Sequence, residues 1–312
     1  MTTLPMELLE ETFGERLLIN ELLAKYTSAR IGGPADVVMI AQSSDDLEDI
    51  ANKLWEMDVP FHVMGGGSNI LVSDAGVRGV VVLNKARKVV FDEDGGSPTV
   101  WAESGSSFGG IARQAAQKGL SGLEWAAGIP GTVGGAVVGN AGAHGGDVAS
   151  ILKVAEILQP DVGRQRWTLD QLVFSYRSSV LKSMRGQAVV LSATLKLSHG
   201  KPEEIQQRMD EFLAFRRRTQ PPGASIGSMF KNPQDDYAGR LIDETGLKGT
   251  RIGGAEISTL HANFFINHGS ARAQDVYALI QRARQTVLEK LGVELELEIE
   301  LFGEWEGVNV KR

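Results

Sequence analysis

One run dominates the sequence: Gly128-Ile-Pro-Gly-Thr-Val-Gly-Gly-Ala-Val-Val-Gly-Asn-Ala-Gly-Ala-His-Gly-Gly146. Each glycine costs backbone entropy relative to alanine. A dense run therefore persists where the backbone turns sharply or where another molecule lies against bare peptide. Exposed N–H groups in such a run suit a phosphate or pyrophosphate. The alternative is a tight packing element between two layers. A second run, Met64-Gly-Gly-Gly-Ser-Asn69, turns the balance toward a nucleotide cofactor.

Neither run fits the common nucleotide motifs, since G-x-G-x-x-G and G-x-x-x-x-G-K-[ST] are both absent. The triple glycine follows a strand-like Pro60-Phe-His-Val-Met64 and precedes Ile70-Leu-Val72, which reads as extended chain. The strand-to-helix context of a Rossmann unit is missing.

At 312 residues, two or three domains are expected. The net charge of −7 argues against a nucleic-acid surface. No apolar run reaches the ~20 residues of a membrane helix. The start, Met1-Thr-Thr-Leu-Pro-Met-Glu7, lacks a basic and then apolar leader, so no signal peptide is expected. Cysteine is absent, which excludes disulfides, thiolate zinc and a cysteine nucleophile, and fits a reducing cytoplasm. The five histidines show no ligand spacing, and no metal is expected.

The chain reads as three α+β segments, 1–76, 77–200 and 201–312. Residues 6–24 suggest a surface helix leading into Thr27-Ser-Ala-Arg-Ile-Gly-Gly-Pro-Ala35. A strand at 37–41 follows, then a helix opened by Ser43-x-x-Asp46, then a strand at 61–64 that delivers the first glycine loop. Strands are expected at 77–83, 99–103, 154–158, 164–167 and 188–197, with a turn at 92–98. A helix is expected at 107–118, stopped by Gly119. In the last segment the patterns predict helices over 202–218, 236–246 and 274–291, and strands over 226–231, 263–266 and 293–301. The 274–291 helix carries Val276, Leu279, Ile280, Ala283, Val287 and Leu291 on one face, with Gly292 as its stop.

Several stretches could carry chemistry. Along 293–301, Val293, Leu295, Leu297, Ile299 and Leu301 alternate with Glu294, Glu296, Glu298 and Glu300. The plain reading of the acidic side is a solvated sheet face. Arg216-Arg-Arg218 close a helix, where cations are favoured by the helix dipole, and an anionic nucleotide could recruit one or two of them. Tyr176-Arg177 follow a short helical stretch at 168–172, and a loop arginine is usually a surface residue. In Gly227-Ser-Met-Phe-Lys-Asn-Pro233, alternation sends Ile226, Ser228 and Phe230 to one face, and Met229 and Lys231 to the other.

Six of these stretches, in chain order, resemble the UDP-N-acetylenolpyruvoylglucosamine reductase family. They are Thr27–Ala35, Gly65-Gly-Gly-Ser-Asn69, Gly128-Ile-Pro-Gly-Thr-Val-Gly-Gly-Ala136 with Asn140-Ala-Gly142, Ser175-Tyr-Arg-Ser178, Gly227–Pro233, and Leu295-Glu-Leu-Glu-Ile299. The resemblance covers nearly the whole chain and implies an α+β fold. Its first two segments would form a two-subdomain FAD-binding unit of the p-cresol methylhydroxylase (PCMH) type, and its C-terminal α+β segment would bind substrate. It implies non-covalent FAD held by Gly65, Gly66, Gly67, Ser68 and Asn69 in one loop. In the other, Gly128, Ile129, Pro130, Gly131, Thr132, Gly134, Gly135 and Asn140 would hold it.

The implied reaction is hydride delivery from NADPH, through the flavin, to C3 of UDP-N-acetylglucosamine enolpyruvate, with protonation of the α-carbon. UDP-N-acetylmuramate would form, a step in peptidoglycan precursor synthesis. By family position Arg177 engages the substrate carboxylate, Ser228 donates the proton and Glu298 is the catalytic glutamate. Tyr176, Lys231 and Asn232 join Arg177 as substrate contacts. Glu300 departs from the family pattern, which often has a basic residue there, and like-charge repulsion would raise the pKa of Glu298. The resemblance also implies a cytoplasmic monomer whose partners are the UDP-sugar and NADPH, not nucleic acid or membrane. Two alternatives stay open on the residues. One is an oxidase of the same FAD fold, against which stand the absence of cysteine and of any histidine in 64–69, although His144 leaves an opening. The other is a non-catalytic nucleotide-sugar binding protein.

Overall fold

The computed structural model describes residues 4–94 and 96–305. Residues 1–3 of the N-terminal stretch and Gly95 in the 92–98 turn lie outside them. The chain forms two units. The first comprises Met1–Ile19, Val37–Gly66 and Gly79–Phe215; the second comprises Asn20–Asp36, Gly67–Arg78 and Arg216–Arg312. Neither is continuous in sequence, and the chain leaves the first unit within the glycine loop, after Gly66.

In the first unit a five-stranded antiparallel sheet runs in the order Gly163–Trp167, Leu152–Gln159, Val189–Lys196, Thr99–Glu103, Val89–Asp92. Helix Phe108–Gln117 buries Phe108, Ile111, Ala112, Ala115 and Ala116 in its core. Its N-cap Ser107 accepts the Gly110 N–H (3.2 Å), and Gly119 follows at φ +69°. Helix Ser44–Glu56 starts as its sequence predicts, with the Ser43 hydroxyl accepting the Asp46 N–H at 3.1 Å. Its apolar side joins a second cluster with Leu9, Phe13, Val37 and Met39. Phe61–Met64 lies parallel to Val80–Leu83 and ends at the glycine loop.

The long helix Pro202–Thr219 begins in this unit, and Ile205, Met209, Phe212 and Leu213 contribute to its core. Arg208 anchors it. The guanidinium reaches the Glu124 carboxylate at 2.6 Å, and the Ser121 hydroxyl and the Gly122 N–H also bond to that carboxylate. Burial would push the Glu124 carboxyl up, but Arg208, the Glu124 and Gly122 amides and Ser121 together hold it below the ordinary carboxylate value.

The second unit holds a four-stranded antiparallel sheet in the order Ala224–Ser228, Phe264–Asn267, Ala255–Ile257, Arg251–Ile252. Helix Ala273–Leu291 covers it with Ala273, Val276, Leu279, Ile280, Ala283 and Val287, and Gly292 closes it at φ +70°. Glu300–Phe302 pairs parallel to Ile70–Val72. Among the described residues, no helix is long and apolar enough to cross a membrane.

Three sequence expectations change. The helix expected over 6–24 stops at Phe13, where Gly14 takes φ +53°; a short 3-10 turn, strand Leu18–Leu22 and a second 3-10 turn follow. The strand expected over 226–231 is Ala224–Ser228, with a register shift between Ser225 and Ser228 where Gly227 sits at φ +86°. That irregularity breaks the alternation, so Met229 and Phe230 are both fully buried. The strand expected over 293–301 is regular only at Glu300–Phe302, although Leu295 and Ile299 are buried as their spacing predicts.

Arg208→Ala leaves the buried Glu124 carboxylate without its cationic partner, and the protein should lose about 1–3 kcal/mol at neutral pH. Because the folded pKa of Glu124 is depressed, its contribution is complete above the ordinary value of 4.5 and is lost as pH falls through the folded value. Urea melts of both proteins should therefore differ most at neutral pH and converge below pH 4.5. A difference that does not depend on pH contradicts the assignment.

Candidate active site

The two glycine runs meet in the first unit. A Cβ on Gly65 would lie 2.3 Å from the Thr132 hydroxyl oxygen, and one on Gly66 would lie 3.2 Å from the Gly131 Cα. Neither position admits a Cβ without movement of the other run. Gly131 takes φ +107°, a conformation open to glycine, and its carbonyl accepts the Phe108 N–H at 3.2 Å. Gly128 and Ile129 are half-buried, and Pro130 is exposed.

Inside the central run lies a helix that its composition gave no reason to expect, Val133–Gly139. Thr132 caps it, its hydroxyl accepting the Gly135 N–H at 3.5 Å. The Val133 and Gly134 amides donate to the Ser106 and Ser104 carbonyls at 3.0 and 2.8 Å. Those two amides are therefore engaged within the protein. Gly134 is required by packing, since its Cβ would lie 3.0 Å from that of Ser104. The Ser104–Ser107 loop thus packs against the second glycine run and holds its first helical turn. The sequence reading passed over it, although Glu103-Ser-Gly-Ser-Ser107 between a strand and a helix was a visible signal.

Gly135 and Gly139 differ from these. A Cβ on Gly135 would meet only the Thr132 hydroxyl at an ordinary 3.7 Å, and one on Gly139 would meet nothing within 4 Å. Neither has positive φ, and four residues apart they share a helix face. No protein contact requires glycine at either position. Bare peptide facing open space, beside a junction of two glycine loops, fits a flat cofactor lying against backbone.

The Tyr176-Arg177 turn belongs to the same unit. Ser175 and Ser178 exchange two backbone hydrogen bonds, 3.0 and 3.1 Å, with Arg177 at φ +58° between them. Arg177 donates to the Gly142 carbonyl at 2.8 Å, and its guanidinium carbon lies 5.7 Å from the centre of the exposed Tyr176 ring. Asn140 faces the protein: its amide carbonyl accepts the Ala149 N–H and its NH2 donates to the Ser175 carbonyl. His144 is exposed and stacks on Phe212, with ring centres 4.3 Å apart.

The second unit contains the other candidates. Segment 229–231 pairs antiparallel with 296–298: the Glu298 N–H donates to Met229 and the Lys231 N–H to Glu296, both at 2.9 Å. Ser228 and Glu298 are both half-buried. The Lys231 ammonium is paired with the exposed Glu296 carboxylate. The Asn232 side-chain carbonyl accepts the Ala238 N–H at 3.2 Å, at the start of helix Ala238–Glu244. The end of the first glycine loop is tied in here. Gly67 accepts the Ser28 N–H at 3.0 Å, while Asn69 donates to the Glu298 carbonyl at 3.2 Å and accepts the Glu300 N–H at 2.9 Å. Ser68 is half-buried between these two. Ser28 also donates to the Ser225 carbonyl at 2.7 Å, a role the sequence reading did not assign. Of the C-terminal arginines of helix Pro202–Thr219, Arg216 is half-buried and Arg217 and Arg218 are exposed.

Fold and loops together define an α+β protein whose paired glycine loops offer bare backbone to a flat cofactor. Comparison with known proteins sharpens this. Residues 35–167 match an FAD binding domain, and 219–302 match the UDP-N-acetylenolpyruvoylglucosamine reductase C-terminal domain. The chain is 45% identical to the Bacillus subtilis UDP-N-acetylenolpyruvoylglucosamine reductase over 95% of its length and 97% of the relative's. The Chloroflexus aggregans enzyme of that name is 41% identical over 94% of this chain and all of its own. The crystal structure of UDP-N-acetylenolpyruvylglucosamine reductase from Thermus caldophilus superposes with a TM-score of 0.78 at 38% identity, covering 92% of this chain and 99% of that one. The chain belongs to the UDP-N-acetylenolpyruvoylglucosamine reductase family.

Gly135→Ala tests the cradle. Alanine in a helix should stabilise the cofactor-free protein by about 0.5–1 kcal/mol, while placing a methyl group where a cofactor on this helix face would lie. Thermal melts of the apo-protein and fluorescence titration with FAD should show higher stability with weaker binding. Unchanged FAD affinity removes this helix face from the cradle.

Proposed function

We propose that this chain is an NADPH-dependent flavoenzyme that reduces UDP-N-acetylglucosamine enolpyruvate to UDP-N-acetylmuramate, a step in peptidoglycan precursor synthesis. The observation that carries the reading is the pairing of 229–231 with 296–298 beside the strand that ends at Ser228. It brings the Ser228 and Glu298 segments together although Lys231 and Glu296 are 65 positions apart. Family membership and the glycine cradle support the same reading.

FAD, which the glycine loops would hold, would supply the hydride chemistry when bound, with NADPH as the source of electrons. The residues of the chain do the rest. The reaction adds hydride at C3 of the enolpyruvyl group and a proton at its α-carbon, so negative charge develops beside the carboxylate. Arg177 holds that carboxylate, for which a planar guanidinium offers two parallel N–H donors. Glu298 shares in stabilising the reacting group, and Ser228 delivers the proton. A serine hydroxyl is a weak acid, but an α-carbanion or enolate is a strong base and accepts from it. Tyr176, Lys231 and Asn232 contact the substrate, and Lys231 leaves its pairing with Glu296 to do so. We place the enzyme in the cytoplasm, where its nucleotide substrates are, as a monomer.

Ser228→Ala should slow substrate-driven recovery of flavin absorbance by ~10²–10⁴-fold more than it slows NADPH-driven bleaching, because the first half-reaction needs no proton at that carbon. Ser228→Cys should recover part of the loss. Stopped-flow absorbance under anaerobic conditions separates the two steps. Wild-type recovery in Ser228→Ala assigns the proton to another donor.

A further inference from the structure

We propose that Asn140 is a positioning residue for Arg177, through which the helix of the central glycine run sets the place of the guanidinium. The inference rests on the reading of Arg177 as the group that holds the enolpyruvyl carboxylate. Asn140 is buried, with 5% of its surface exposed, and sits at φ +43° just past helix Val133–Gly139. Its side-chain carbonyl accepts the Ala149 N–H at 3.0 Å. Its NH2 donates to the Ser175 carbonyl at 3.1 Å and to Asp147 at 3.4 Å.

Ser175 is the first residue of the turn that carries Arg177. Since Ser175 and Ser178 close that turn with two backbone bonds, holding the Ser175 carbonyl holds the turn. Two further bonds act beside it. The Ser179 hydroxyl donates to the Val138 carbonyl at 2.7 Å, and Arg177 itself donates to Gly142 at 2.8 Å. Residues 138, 140 and 142 thus grip the turn at three points. Arg177 has positive φ, which a long side chain keeps only where its surroundings impose it.

A helix end alone does not call for this side chain. A left-handed residue closes a helix through its backbone, and glycine serves there at least as well. What asparagine adds is a donor and an acceptor on one rigid amide, in a residue that tolerates left-handed backbone. Both ends of the amide are bonded here, one to each side of the junction.

The test uses holoenzyme and two ligands: the enolpyruvyl nucleotide, and UDP-N-acetylglucosamine, which has no carboxylate. Asn140→Gly keeps the backbone conformation and removes the amide. Calorimetric titration should show the enolpyruvyl nucleotide bound about 10–10²-fold more weakly, the loss expected when a charge-assisted hydrogen bond is broken, with UDP-N-acetylglucosamine binding as to wild type. In an Arg177→Ala background the same substitution should add nothing, because the two residues act as one unit. Asn140→Asp keeps the acceptor for Ala149 but cannot donate to Ser175, and should show the same selective loss if the glycine variant fails to fold. Equal weakening of both ligands, or a penalty that persists in Arg177→Ala, overturns the proposal. If Arg177→Ala itself leaves enolpyruvyl affinity intact, the role of Arg177 falls first, and the proposal falls with it.

Discussion

The structure depends on glycine backbone packed where no further side chain fits. Gly65 abuts the Thr132 side chain, Gly66 abuts the Gly131 backbone and Gly134 abuts Ser104, each too close to admit even a Cβ without movement or strain. The first two contacts join two loops more than 60 residues apart, seen in the 3.2 Å that would separate a Gly66 Cβ from Gly131. Packing and ligand binding are often opposed explanations of a glycine run. Here they divide the run between them. Gly131 is fixed by its positive φ and Gly134 by the close approach of Ser104, while Gly135 and Gly139 face open space and are free to accept a cofactor.

Within each unit, hydrogen bonds run from a glycine loop to a segment that carries a proposed reacting group. In the first unit they pass through Asn140 to the Arg177 turn. In the second, Asn69 makes a comparable connection: its side chain bonds the Glu298 carbonyl and its own carbonyl receives the Glu300 amide. Each glycine loop ends in an asparagine whose amide bonds the main chain of a segment that carries a proposed catalytic side chain. A hydrogen bond to main chain sets where a side chain starts without reducing its own freedom to contact substrate. Such a connection suits catalysis, which loses heavily when a group is displaced by about an ångström.

Much of this was legible in the sequence where local chemistry decides the outcome. Ser43 and Ser107 cap their helices as written, Gly119 and Gly292 stop theirs, and the apolar face of Ala273–Leu291 is buried as its spacing predicts. The reading failed where tertiary contacts override the local pattern. Helix Val133–Gly139 is glycine-rich and intrinsically weak; it forms because Thr132 caps it and Ser104 and Ser106 engage its amides. The alternating glutamates of 293–301 suggested a continuous strand, but its partners change from Met229 and Lys231 to Asn69 along the way. The period-two reading of 226–231 could not foresee the register shift at Gly227. The candidate residues came from family resemblance. Neither Ser228 nor Arg177 stands out on spacing alone, and the bonds that place them run to residues remote in the chain.

A glycine-loop cradle for FAD and reduction of an enolpyruvyl double bond are open to one test. The most direct measurement is flavin absorbance of the wild-type holoprotein under anaerobic conditions. One equivalent of NADPH is added first, then UDP-N-acetylglucosamine enolpyruvate, with UDP-N-acetylglucosamine as control. The account predicts that NADPH bleaches the flavin, that the enolpyruvyl nucleotide restores the colour as UDP-N-acetylmuramate forms, and that the control restores nothing. Protein that stays colourless after FAD is added, or flavin that NADPH bleaches and the enolpyruvyl nucleotide does not restore, contradicts it.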